Sequence, residues 1–128
     1  PRRQRQMCIR DSLFGAQMVG WLKDDHWLDL ATHANQQASK LSESLASIDE
    51  IDLAWPVRAN ELFVIMPKGL ATHLQAVGAE FYEWSENTLP ENVNLVDGQT
   101  YVRLVTSFLT QDSQCELLIK NIKDYFEN

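Results

Sequence analysis

The sequence predicts an α+β fold, a mostly antiparallel sheet of three to four strands with helices packed on one face of it. Three observations carry this. A long amphipathic repeat of helical period occupies the first part of the chain, and short apolar and aromatic runs broken by Pro, Gly and Asn follow it. A second amphipathic repeat closes the chain. The resulting order is helix, helix, strand, strand, helix, strand, strand, helix, with no internal repeat. It lacks the regular strand–helix alternation that builds a doubly wound parallel sheet.

Residues 14–23 are good helix formers interrupted by Gly15 and Gly20. Small side chains there suit close packing against another helix or subunit, or are simply tolerated glycines. Asp24 or Asp25 is placed to cap the next helix, its carboxylate accepting the free N–H groups of the first turn. Trp27, Ala31, Ala34, Ala38, Leu41, Leu45 and Ile48 then recur at spacings of four and three. That spacing puts them on one face of a helix ending near Ile48, with Lys40, Ser42, Glu43 and Ser44 largely on the other.

Residues 51–55 read as a short strand stopped by Pro56, which has no N–H for a ladder. The unbroken apolar run 62–66, closed by Pro67, predicts a central strand buried on both faces. Residues 68–76 predict a short helix with Leu70, Ala71 and Leu74 inward and Gly78 as its C-terminal cap. Residues 81–84 form a compact aromatic strand. Asp97-Gly98, between 93–96 and 101–108, predicts a hairpin. In its second strand Val102, Leu104, Thr106 and Phe108 share one face, and Tyr101, Arg103, Val105 and Ser107 share the other. Thr110 or Asp112 caps a final helix whose apolar side holds Cys115, Leu118, Ile119, Ile122 and Phe126.

A chain of 128 residues, 45% hydrophobic and 23% charged, fits one domain with a real core. No apolar run approaches the roughly 18 residues of a membrane-spanning helix. No signal-like apolar stretch follows the basic opening. The expectation is a cytoplasmic protein with no membrane partner. Cys8 and Cys115 show no CxxC spacing, which argues against a disulfide scaffold or a zinc knuckle. The formal charge of −7 excludes a broad basic surface for nucleic acid. Four of the basic residues, Arg2, Arg3, Arg5 and Arg10, nevertheless crowd into PRRQRQMCIRDS, which has no periodicity. A basic arm is one reading of this segment and a disordered terminus another. A third is a non-native lead over 1–12, because RQRQMCIRDS resembles the translated read-through of a sequencing adapter. The domain then runs over 13–128, and the natural protein continues upstream.

Arg103 is the foremost candidate for chemistry. It lies mid-strand in a sequence otherwise suited to burial, so its guanidinium must be exposed or paired with an anion. Its planar fork suits a carboxylate ligand, and the alternative is an internal salt bridge or a solvent-facing edge position. His26, Asp29 and His33 share a helical face that could hold a metal but more simply forms a solvated surface, and no HxxxH or HExxH spacing appears. The four tryptophans could line a pocket, although core packing is the simpler account for most of them. No GxSxG elbow and no Gly-rich phosphate loop is present. Lys23, Lys40, Lys68, Lys120 and Lys123 fall on helices or their ends among polar neighbours, whereas a Schiff-base lysine needs a desolvated pocket. The chain by itself is expected to be inactive.

Four stretches in series, AQMVGWLKDDHWLDLATHANQQASKL, PVRANELFVIMP, VGAEFYEW and YVRLVTSFLT, resemble the C-terminal third of bacterial low-specificity L-threonine aldolases. The resemblance implies the small domain of the aspartate aminotransferase fold, closing over a large domain that carries pyridoxal 5′-phosphate. It implies a lyase that splits L-threonine-type β-hydroxy-α-amino acids into glycine and an aldehyde and works as a homo-oligomer, a dimer or tetramer. It also implies that Arg103 holds the substrate α-carboxylate. Asn60 matches a recurring asparagine at a strand entrance and has a turn or cap as its simplest role. The cofactor lysine is expected upstream, within the chain's own large domain. Ser107 stands where many relatives carry histidine, which reads as a subfamily difference. Two other readings stand beside this one: another enzyme of the same fold, such as an aminotransferase or β-eliminating lyase, and a free-standing ligand-sensing or interaction domain.

Overall fold

The computed structural model describes residues 2–127, with side chains from residue 12 onward. Cys8 and all but the last residue of the expected 1–12 lead have side chains outside those described. Four α-helices and four strands follow in order: α1 (Arg2–Leu22), α2 (His26–Leu45), β1 (Asp52–Leu53), β2 (Glu61–Pro67), α3 (Lys68–Ala76), β3 (Tyr82–Glu83), β4 (Gln99–Val105) and α4 (Asp112–Glu127). The strands form one antiparallel sheet of order β1-β2-β4-β3. This is the α+β architecture that the alternating patterns predict.

Side-chain alternation on β2 and β4 builds the core. Leu62, Val64 and Met66 of β2 join Val102 and Leu104 of β4 on one face. Ala38, Leu41 and Leu45 of α2, Leu70, Ala71 and Leu74 of α3, and Ile122 of α4 close over them. The helix α3 matches its expected span. It ends as its glycine foretells, with Gly78 at φ +100, its N–H donating to the Gln75 carbonyl and that of Ala79 to the Leu74 carbonyl. A Cβ at that φ would be strained, so glycine is required there.

The opposite face is covered differently. Trp55, just beyond edge strand β1, donates its indole N–H to the Thr88 carbonyl at 3.1 Å. Thr88 follows β3, the other edge strand. The connection from β3 to β4 therefore crosses the sheet on the side away from the helices. Under it Ile65 and Tyr101 are buried, while Val105, farther along, is exposed.

Several expectations are corrected. The hairpin does not form. The Asp97-Gly98 turn exists, with Gly98 at φ +89 and Gln99 N–H donating to the Val96 carbonyl. Residues 93–96 are nonetheless coil; β2 fills one edge of β4, and β3 takes the other at Val102 and Arg103. The strand β4 stops at Val105, which leaves Phe108 exposed in the following turn. Asp24 and Asp25 do separate α1 from α2, but through left-handed backbone (φ 54 and 58), and Asp25 makes no side-chain capping bond. Aspartate is among the few non-glycine residues that tolerate this region, and two in succession reverse the chain. At α4 the back-reaching group is Gln114, whose Oε1 accepts the Gln111 N–H at 2.9 Å.

The tryptophans depart most from expectation, since Trp21, Trp27 and Trp55 are exposed rather than in the core. All described side chains of α1, from Ser12 to Leu22, are exposed, as are Trp27 and Ala31 at the start of α2. Nothing lies within 4 Å of a Cβ built on Gly15 or Gly20. Among the described residues no helix is long and apolar enough to cross a membrane.

Candidate functional site

Arg103 emerges on the loop-covered face of the sheet, at the margin of that cover. In the antiparallel register it stands opposite Phe63 of β2 and Tyr82 of β3. Its diagonal neighbour on the same face is Glu61, which stands opposite Val105. The guanidinium carbon sits 4.2 Å from the centre of the Trp84 ring, within cation–π range. Phe63 supports that indole from the side, with centroids 6.0 Å apart, and Tyr101 lies 6.1 Å from Phe63. Arg103 Nη1 donates to Glu61 Oε1 at 3.3 Å, a long contact between side chains 28% and 41% exposed. Arg103 Nε and the Tyr101 hydroxyl are buried and have no hydrogen-bond partner among the described residues.

Chemically this is a cation held over an aromatic ring and only loosely engaged by its one ionic partner. An ion pair so exposed contributes about 0–1 kcal/mol, so an external carboxylate can compete for the fork. Glu61 has no counterpart among the residues that the sequence singles out, and Trp84 is one of the four tryptophans that could line a pocket. Glu61 becomes Arg103's neighbour only through the β2–β4 register, which no local pattern specifies. Trp84 carried a signal as the last residue of the aromatic run 81–84, but nothing in it pointed to Arg103.

Asn60 is engaged with the end of β4. Its Nδ2 donates to the Thr106 carbonyl at 2.8 Å, and Thr106 N–H donates back to the Asn60 carbonyl at 2.9 Å. Thr106 Oγ1 in turn donates to the Ala34 carbonyl of α2 at 2.7 Å. These bonds clamp the entrance of β2 to the exit of β4 and to the helix layer.

Among the clefts on the helix side, two adjoin α4. One of about 580 Å³ between α2 and α4 contains the Lys40–Asp112 ion pair (2.8 Å) and Cys115. The hydrogen bond from Lys40, and after it that from Gln37, holds the Asp112 carboxyl below its ordinary range, while burial pushes the Cys115 thiol up. The other, about 340 Å³, is lined mainly by apolar residues including Leu74, Phe81 and Leu118. Arg103 lines neither. Nε2 of His33 is hydrogen-bonded to the Thr110 carbonyl at 2.8 Å, and no group of three potential metal ligands occurs among the described residues.

No protein-family model matches the chain. Low specificity L-threonine aldolases of Pseudomonas aeruginosa and of a Pseudomonas sp. are each 36% identical to it over 77 residues, 60% of this chain and 22% of each enzyme. A solved threonine aldolase of Leishmania major superposes with a TM-score of 0.74 at 28% identity, covering 88% of this chain and 30% of that one. The chain is similar to threonine aldolases in both sequence and fold. It spans less than a quarter of the length of the Pseudomonas enzymes it matches. A NifS-like protein of Rickettsia africae, with a TM-score of 0.65 at 10% identity over 78% of this chain and 30% of that one, shares the fold alone. The threonine aldolase likeness thus extends from residue pattern to the layered α+β architecture.

Proposed function

We propose that residues 13–128 are the C-terminal small domain of a pyridoxal-phosphate-dependent lyase. When complete, this enzyme cleaves L-threonine-type β-hydroxy-α-amino acids to glycine and an aldehyde. The observation that carries the reading is the joint likeness to threonine aldolases in sequence and in fold. Pyridoxal phosphate supplies the electron sink for such a cleavage. This chain's own residues do not suit holding it. Lys23, Lys40, Lys68, Lys120 and Lys123 are all exposed, and Lys40 and Lys120 are engaged with Asp112 and Asp124. None offers the desolvated amine that aldimine chemistry needs. On this reading the cofactor belongs to a large domain upstream.

The part assigned to this chain is recognition. Arg103 holds the α-carboxylate of the amino-acid substrate through its fork, and Trp84 fixes the plane of that fork. Asn60 keeps the strand entrance in register. The exposed Phe14, Met18 and Trp21 of α1 suit contact with the large domain or with a second subunit of a homo-oligomer. The assignment to a bacterial enzyme rests on the same resemblance, and that to the cytoplasm on the sequence, which offers no apolar run of membrane-spanning or signal length.

Expressing the gene together with its upstream sequence and assaying threonine cleavage against amino transfer tests the reading. Aldehyde and glycine are the expected products, and amino transfer alone would move the protein to another enzyme of this fold. In that complete enzyme Arg103→Ala is expected to raise the KM for threonine roughly tenfold or more, the worth of hydrogen bonds to a charged partner, with the cofactor's absorption retained. An unchanged KM removes Arg103 from the substrate site. The 128-residue chain mixed with pyridoxal phosphate is expected to give no stable visible band that shifts on adding glycine.

A further inference from the structure

We infer that Glu61 and Trp84 are positioning residues that set, in opposite directions, the affinity of Arg103 for a carboxylate ligand. This deepens the proposed function and rests on its assignment of Arg103 to carboxylate binding.

Glu61 reaches the guanidinium at Nη1 over 3.3 Å, from the diagonal position across the β2–β4 ladder. A charge-assisted pair at its best distance is closer, about 2.7–2.9 Å. The contact is therefore an off-optimum occupant of the edge by which a ligand carboxylate would be held. Glu61 acts on such a ligand twice, by competing for the same donor and by placing a like charge beside the incoming anion. Both effects weaken carboxylate binding.

Trp84 acts with the other sign. The guanidinium carbon lies over its ring, 4.2 Å from the centroid, and the ring is itself packed against Phe63. This contact does not occupy Nη1, the donor that Glu61 engages. It restricts the rotation of a long side chain that would otherwise be ordered only on binding, and pre-organisation of this kind strengthens association. The buried, unpartnered Arg103 Nε fits the same picture, since stacking holds that nitrogen beneath cover where no residue of the described chain satisfies it.

The test is an acetate titration of the 128-residue chain, read by the side-chain Nε–H resonance of Arg103 in ¹⁵N spectra, with acetamide as the uncharged control. The variants are Glu61→Gln, Trp84→Leu and Trp84→Phe. Glu61→Gln is expected to tighten acetate binding about two- to fivefold, the range of an exposed ion pair. Trp84→Leu is expected to weaken it about two- to fivefold, and Trp84→Phe, which keeps a ring, by less. A merely structural role for Glu61 would loosen the site on substitution, so tightening is the distinguishing sign. Binding that persists through Arg103 but is unchanged or weaker in Glu61→Gln overturns the inference and leaves the carboxylate reading standing. If no variant shows an acetate-dependent shift, both fall. Should Trp84→Leu fail to fold, the sign of the Glu61→Gln effect and the size of the Trp84→Phe effect still decide.

Discussion

Leu62, Val64 and Met66 of β2 point into the helix layer, while Glu61, Phe63 and Ile65 of the same strand point the other way. The same division holds on β4, where Val102 and Leu104 face the helices and Tyr101 and Arg103 face the crossing loop. On the helix side the residues are aliphatic, fully buried and in mutual contact. On the loop side aromatic and charged residues stand among aliphatic ones, with burial falling from Ile65 and Tyr101 to the exposed Val105. Two faces built from the same backbone thus divide the work. A closed apolar layer contributes most of the stability, since apolar area removed from water is the dominant favourable term. A partly covered face can keep a cation near solvent without disrupting the core.

Substitutions can break that contrast, and the largest effect belongs on the helix side. Leu62→Ala is expected to destabilise the chain by about 2–5 kcal/mol in urea unfolding, because Leu62 is fully buried and its neighbours cannot collapse into the gap. A loss under about 1 kcal/mol would show that the two faces do not differ as described. Thr106→Val comes next, at roughly 1–2 kcal/mol. It removes the buried 2.7 Å bond to Ala34 that ties the end of β4 to α2. Arg103→Ala should cost no more than about 1 kcal/mol of folding stability, its ion pair being half exposed, while abolishing any carboxylate response. A cost as large as that of Leu62→Ala would make Arg103 a structural residue and end its assignment to ligand binding.

The smallest effect concerns the Lys40–Asp112 pair on the outside of the helix layer. The hydrogen bond from Lys40 lowers the Asp112 pKa from 3.8 in the folded state. Its stabilising contribution is therefore complete above that ordinary value and is lost as the pH falls through the lower, folded one. Asp112→Asn is expected to lower stability slightly above that ordinary value and so to flatten the acid limb of a stability–pH curve, with its slope unchanged at alkaline pH until Lys40 titrates. An acid limb identical in the variant would show that Asp112 does not report folding.

Single-chain reasoning reaches the elements whose causes are local. Gly78 closes α3 because only glycine relaxes at φ +100, and the alternation around Arg103 places it on the opposite face from Val102 and Leu104. The four-and-three spacing along α2 identifies the stripe that is buried from Ala34 onward. Tertiary structure decided the rest. Residues 93–96 look like a strand, yet whether they pair depends on an edge of β4, which β2 fills along one side and β3 takes in part on the other. Trp27 continues the apolar stripe but stays exposed, because a helix face is buried only where another element reaches it. Glu61 and Trp84 meet Arg103 through strand register, and residues 42 and 19 positions apart in the chain become neighbours only when the sheet is assembled.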